Sequence, residues 1–273
     1  MSEEQVVEKP VKAARKTSFK DILAGVSELN KQQLVEVFVP SLNTDVNFKP
    51  LTVKQQKQLL SSGVDTEIEN LTFSNTTNSI IMENCLGSKD KITLIDKPLI
   101  LLQLRKNSVG DTLKVADDNG DYVVDLNEHV QSVRGAVKSS PDLTFNVESD
   151  GVTITGVAPT LEIDTKYNKQ FTKSVKKNNK KDLALSDVVG DIYIHEMVKY
   201  VKTISIGDNT LQMDDNVSVE QSIKEFESLP MTISSKVATA IKSVRELEIK
   251  SLENSTLPDD VQINIDASIF TAE

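Results

Sequence analysis

The stretch from Leu34 to Gly63, LVEVFVPSLNTDVNFKPLTVKQQKQLLSSG, limits the fold more than any other part of the chain. Val35, Val37 and Val39 alternate with Glu36 and Phe38. Turn residues follow from Ser41 to Asp45, and Val46 and Phe48 then resume the two-residue period of a return strand. After Pro50, the Thr52 hydroxyl is placed to accept a hydrogen bond from an unpaired N–H in the first turn of a helix, and Gly63 is placed to end that helix. The spacing puts Val53, Gln56, Leu59 and Leu60 on the packed stripe and turns Lys54, Gln55 and Lys57 outward. A hairpin that runs directly into a helix is an α+β nucleus, and the rest of the chain is expected to pack on it.

Whether enough material exists to do so is a question of length and composition. At 273 residues the chain can bury a sizeable core. Trp is absent and aromatics are 4%, so Ile, Leu and Val must supply that core, and stacking platforms for bases or sugars are scarce. A net charge of −10 disfavours nonspecific attraction to nucleic acid or an anionic membrane. The charge is unevenly laid out: Lys173 to Lys181 holds five Lys and no acid, whereas Glu246 to Glu273 holds seven acids against Lys250 alone. Opposite-sign ends of one chain help to fix how copies or partners are oriented in an assembly.

Cys85 is the single cysteine, which leaves no intramolecular disulfide and no thiolate zinc cage and points to a reducing, cytosolic origin. Set between Met82 and Leu86, it reads as a buried, inert thiol. No run of 18 apolar residues occurs, and the first 18 residues carry charges throughout. The expectation is a chain neither membrane-spanning nor led by a signal peptide.

The pattern divides the chain into five parts. Residues 1–33 are a leader with an amphipathic helix, in which Ser18 caps Phe19, Ile22, Leu23, Val26 and Leu29 at helical spacing. Residues 34–165 are an α+β, hairpin-rich domain with short helices over Ile80–Cys85 and Pro98–Lys106. Residues 166–182 read as a basic linker, residues 183–256 as a helical region, and residues 257–273 as an acidic and apolar docking tail. Within the second part, Asp150-Gly151 marks a tight turn between Phe145, Val147 and Val152, Ile154. Within the fourth, one helix is expected from Ser186 or Asp187 through Ile206. A second is capped by Ser218 with Gln221 and stopped by Pro230, and a third runs from Thr232 to Glu253.

Two motifs suggest metals, one disfavoured by its geometry and one lacking a ligand. Asp117, Asn119, Asp121, Asp125 and Glu128 fall at calcium-loop positions, but Tyr122 stands where the sharp turn needs Gly. Asn119-Gly120 between alternating Leu113, Val115 and Tyr122, Val124 favours a hairpin instead. His195-Glu196 begins like a zinc-protease helix, but position 199 is Lys where a second ligand is required. No phosphate loop, dinucleotide turn or nucleophile elbow is present, and basic residues are not interleaved with aromatics. No catalytic residue, cofactor or metal is assigned, and neither nucleic acid, membrane nor small-molecule substrate is expected as a partner.

Four stretches in order carry a resemblance: FVPSLNTDVNFKPLTVKQQKQLL from Phe38, with Pro50, Val53 and Lys54; LLQLRKNSVGD from Leu101 to Asp111, with Leu104, Arg105, Ser108, Val109 and Gly110; DIYIHEMVKYVKTI from Asp191 to Ile204; and ESLPMTISSKVATAIKSV from Glu227 to Val244. Together they resemble the baseplate hub proteins of T-even-like contractile-tailed bacteriophages. The resemblance implies a structural protein of the tail or one used in building it, located in the virion after assembly in the host cytoplasm. Its partners would be other baseplate and tail proteins, possibly including itself. Three expectations follow. Phe19, Ile22, Leu23 and Val26, and separately Ile265, Ile269 and Phe270, insert into grooves on neighbouring subunits. Arg105 is a structural ion-pair or capping residue. The rival readings are a transient assembly factor for hub proteins and a calcium-binding module on Asp117 to Glu128.

Overall fold

The computed structural model describes residues 33–63, 67–117, 120–177, 185–213 and 217–271. The protein is α+β, with three small antiparallel sheets set among helices in the described residues.

Strands β1 (Val35–Val39) and β2 (Thr44–Phe48) pair as expected, with Val37 opposite Val46 and Val39 opposite Thr44. Helix α1 (Val53–Ser62) starts at a reciprocal cap: Gln55 N–H donates to Thr52 Oγ1 at 3.2 Å, and Thr52 N–H donates to Gln55 Oε1 at 3.1 Å. The cap rotates the expected stripe. Gln55 is buried and its amide donates to Asn84 Oδ1 at 3.0 Å, Leu59 is buried, and Val53 is 83% exposed. Gly63 ends the helix for a reason other than a left-handed cap. Its φ is −102°, and a Cβ built on it would come within 2.4 Å of the Ala267 Cβ, so glycine is what lets the C-terminal segment approach.

Helix α2 (Glu67–Asn84) is three turns longer than the apolar run Ile80–Cys85 suggests. Its middle is Thr- and Asn-rich, and Thr77 and Asn78 are fully buried. Cys85 follows it, buried as expected. Burial pushes its thiol pKa up, and the thiol donates to the Gly87 carbonyl at 2.6 Å.

Helix α3 (Lys97–Ser108) is buried on every side from Lys97 to Arg105. Two polar side chains seat it. The Asp96 carboxylate accepts from the N–H and hydroxyl of both Ser41 and Thr93, at 2.7 to 2.8 Å, and binds the β1–β2 turn to the helix entry. The Gln103 amide accepts from Phe38 N–H at 2.8 Å and donates to Phe38 C=O at 2.9 Å, completing the free edge of β1 as a third strand would.

Strands β3 (Thr112–Asp117) and β4 (Gly120–Asp125) form the hairpin, with Leu113 opposite Val124 and Val115 opposite Tyr122. Asn119 lies outside the described residues. Asp125 caps a helix that the sequence reading did not anticipate, α4 (Leu126–Ala136), accepting from Asn127 N–H at 2.7 Å and from Glu128 N–H at 3.2 Å.

Strands β5 (Thr144–Ser149) and β6 (Val152–Val157) turn at Asp150 and Gly151, both at positive φ (52° and 77°). Helix α5 (Leu161–Lys177) then corrects the expected linker: residues 166–177 are helical, because Leu161, Tyr167 and Phe171 share a buried face. A second correction follows α6 (Leu185–Val198). The single helix expected to reach Ile206 stops at Val198, and β7 (Val201–Ile206) pairs with β6 on one side and with β8 (Asn209–Gln212) on the other. The sheet order is β5-β6-β7-β8. Helix α7 (Val219–Glu227) is capped by Ser218, whose hydroxyl accepts from Gln221 N–H at 3.1 Å. The long helix expected from Thr232 breaks at Arg245 into α8 (Met231–Val244) and α9 (Glu246–Lys250).

Apolar side chains collect in two main clusters. The first joins β1, β2, α1–α3, the β3–β4 hairpin and the C-terminal segment, and the second joins the four-stranded sheet to α5–α8. Among the described residues no helix is long and apolar enough to cross a membrane.

Candidate functional site

The most distinctive stretch of the sequence, around Arg105, builds a clamp. Arg105 lies in the last turn of α3 and is 3% exposed. Its Nε–H donates to the Ile269 carbonyl at 3.1 Å, and a second guanidinium N–H donates to the Gly110 carbonyl. Gly110 sits at φ +144°, a conformation that favours glycine, and Ser108 Oγ–H donates to the Leu104 carbonyl at 2.7 Å. One side chain thereby fastens the α3–β3 loop and the C-terminal segment. Gln56 adds a second fastening, its amide donating to the Phe270 carbonyl at 2.7 Å. Arg105 is expected from the sequence to form an ion pair or a cap, whereas here it binds backbone carbonyls of two separate segments.

The clamp decides where the apolar tail lies. Ile263, Ala267, Ile269 and Phe270 are buried in the first cluster, with Phe270 at 0% exposure, and Ile265 packs against it partly buried. Of the residues expected to reach neighbouring subunits, Ile269 and Phe270 therefore fill a groove on their own chain. The packing has a plain cause: α1, α2 and α3 leave an apolar gap that Ile269 and Phe270 close, and Gly63 admits the segment at Ala267. Phe19, Ile22, Leu23 and Val26 lie outside the described residues.

A second polar cluster lies between the two apolar ones, and nothing in the sequence reading singled it out. Asp164 on α5 is 1% exposed, and its Oδ1 accepts from Lys199 Nζ at 2.6 Å. Its Oδ2 accepts from Asn78 Nδ2 at 2.7 Å, Asn168 Nδ2 at 3.1 Å and Ser74 Oγ at 3.2 Å. Lys199 Nζ also reaches Glu196 Oε1 at 2.7 Å, and Lys97 Nζ donates to the Ser74 carbonyl at 3.1 Å and to its hydroxyl at 2.8 Å. Burial works to raise the Asp164 carboxyl, but the Lys199 and Lys97 ammonium groups outweigh it and hold the pKa below its ordinary value. Burial works the opposite way on Lys199, where Asp164 and Glu196 win and raise it. Lys97, with less compensation, is pushed down to about 8.

A serine beside a lysine suggests nucleophilic chemistry, but both groups are otherwise engaged: the Lys97 ammonium is tied to the backbone carbonyl of Ser74, and the hydroxyl faces Asp164. A signal for the cluster did exist, since Lys199 interrupts an apolar run from Met197 to Val201.

Both histidines serve packing. His129 Nε2 lies 3.0 Å from the Ser251 carbonyl, and its Nδ1 lies 3.2 Å from Asn254 Nδ2. His195 packs edge-on against Phe171, ring centroids 4.7 Å apart. Of the calcium-loop positions, Asp117 accepts from Gly120 N–H and Asp125 caps α4. Among the described residues no group of three His, Cys, Asp or Glu is placed to hold a metal ion.

The family model described as T4 bacteriophage base plate protein matches residues 32–256. The chain belongs to that family. No curated protein and no solved structure matches it. All four stretches of the resemblance, the Gln56, Arg105 and Gly110 side of the clamp, and the Asp164–Lys199 cluster fall inside the matched span of this baseplate protein. The apolar anchors Ile263, Ile269 and Phe270 fall beyond it. Membership gives a phage baseplate protein of the virion tail, of a kind that works among other tail proteins and in a structural capacity.

Proposed function

We propose that this baseplate protein is a structural component of the hub of a contractile tail and acts through protein–protein contacts made during tail assembly in the host cytoplasm. The observation that carries the reading is the family match across residues 32–256, joined by the hub-like Arg105 to Gly110 stretch. The buried polar groups around Arg105 and Asp164 support it, since both sets fasten elements to one another. In this reading the leader face of Phe19, Ile22, Leu23 and Val26 is the part that docks on a neighbouring baseplate protein, as an amphipathic helix in a groove. The test is to infect with phage encoding the chain without residues 1–31 and to analyse purified tails by mass spectrometry and imaging. The full chain is expected in the hub, and the truncated chain is expected to be lost from it. A full chain absent from finished tails would overturn the structural role, and undiminished incorporation of the truncated chain would overturn the docking role of the leader.

A further inference from the structure

On a protein of net charge −10, one surface cleft is basic. It has a volume of about 790 Å³ and lies between α5, the turn at Lys89–Lys91 and the start of β7. Lys89, Lys166, Lys169 and Lys202 stand exposed around it, against Asp90 and Glu162. Lys166, Lys169 and Lys173 fall at i, i+3 and i+7 of α5, so the basic face continues along the helix. Lys89, Lys169 and Lys202 make no ion pair among the described residues.

The opposite charge gathers elsewhere on the same chain. Glu246, Glu253, Asp259 and Asp260 are exposed along the path from α9 into the C-terminal segment, and they too make no ion pair among the described residues. Like charges held close on a surface repel, and an opposite face removes that cost while fixing orientation. Among the described residues no ion pair joins the two faces within one chain, and the two faces are complementary in charge.

We infer that the lysine cleft on α5 receives the acidic 246–260 stretch of a second copy of this chain. The contact is head-to-tail, joining two different faces, so it propagates from copy to copy and closes into a ring where the rotation allows. It deepens the proposed function, resting on that reading for its setting and adding the identity and chemistry of one partner.

Charge exchange tests it on the full chain. One variant carries Lys166→Glu, Lys169→Glu and Lys202→Glu; the other carries Glu253→Lys, Asp259→Lys and Asp260→Lys. All six positions are exposed, and circular dichroism melts verify that both variants fold. Sedimentation velocity is expected to show wild-type association that weakens by about tenfold or more between about 0.01 M and about 1 M salt, as the screening length falls from about 30 Å to about 3 Å. Each variant alone is expected to sediment as a monomer, and the equimolar mixture is expected to regain association. Wild-type association by either variant alone, or a mixture that stays monomeric, overturns the inference. So does binding of a single-stranded oligonucleotide through these lysines when self-association is untouched. Absence from purified tails would defeat the proposed function and leave the charge-exchange result standing, whereas failed rescue would defeat only this contact.

Discussion

Arg105 and Lys199 are both buried cations that hold distant parts of this baseplate protein together, and they do it by opposite means. Arg105 binds neutral partners, the carbonyls of Gly110 and Ile269, through the fixed fork of its guanidinium. Lys199 binds ionised ones, Asp164 and Glu196, in a setting where Asn78, Asn168 and Ser74 complete the carboxylate's hydrogen bonds. The difference teaches what each region tolerates. A carbonyl clamp fails when the fork geometry is lost. A charge cluster fails when either partner loses its charge, because the survivor is left desolvated and alone.

The largest effect is therefore expected in the charge cluster. Lys199→Met leaves Asp164 buried beside Lys97 alone, and it should lower the unfolding free energy by about 3–5 kcal/mol in urea titrations. Adding Asp164→Asn should recover part of the loss. A single variant within about 1 kcal/mol of wild type would break the comparison.

The pH dependence sharpens it. The Asp164 carboxyl is held below its ordinary value, so its contribution is present above the unfolded value of about 3.9 and is lost as pH falls through the folded one. His195 acts over a different window. Burial, aided by the Lys199 ammonium, pushes its imidazole down to about 4, so between about 6.5 and about 4 the unfolded chain binds a proton that the folded chain refuses. Stability should fall as pH drops across that window, and His195→Gln should flatten the slope. A parallel profile in His195→Gln would remove the assignment.

How far these regions could be read in advance differs in the same way. The hairpins at Asn43 and Asp150-Gly151 and the Thr52 cap follow local rules, and the sequence displays local rules openly. The Arg105 stretch was visible through its likeness to a family, but its partner at Ile269 lies 164 residues away, a relation that no local pattern encodes. The tail is legible as apolar, but the gap that Ile269 and Phe270 fill on their own chain exists only after α1, α2 and α3 have packed. Helix α2 was hidden for a related reason. Its buried face includes Thr77 and Asn78, polar residues that become core only because Asp164 and Thr165 arrive to bond with Asn78. The turn of the chain into β7 after Val198 was masked by β-branched residues that suit either a helix face or a strand, and the β6 edge decided between them.

A smaller effect is expected at the clamp. Arg105→Lys keeps the charge and gives up the fork, so one of the two carbonyls is left without its donor, at a cost of about 1–3 kcal/mol. The variant should melt lower, and limited proteolysis should cut faster between residues 258 and 266, where the segment has no regular secondary structure. Faster cutting would tie the loss to release of the tail. An unchanged digestion pattern with a lowered melt would place the damage at Gly110 instead.

The smallest effect separates the organising helix from both regions. Thr52→Ala removes the hydroxyl that accepts from Gln55 N–H, and a lost N-cap costs about 1 kcal/mol. The Gln55 side chain also bonds Asn84 at the C-terminal end of α2, so the loss should loosen the α1–α2 contact as well as fray the helix. Val53→Ala, one residue on and 83% exposed, supplies the control and should stay within about 0.5 kcal/mol of wild type. Amide hydrogen exchange locates the effect: faster exchange confined to the first turn of α1 reports the cap alone, and faster exchange that extends to Asn84 and Cys85 reports the Gln55 bridge. If Thr52→Ala matched Val53→Ala in both stability and exchange, the packing of Leu59 beneath the hairpin would be enough to hold α1, and the cap would lose its place in the argument.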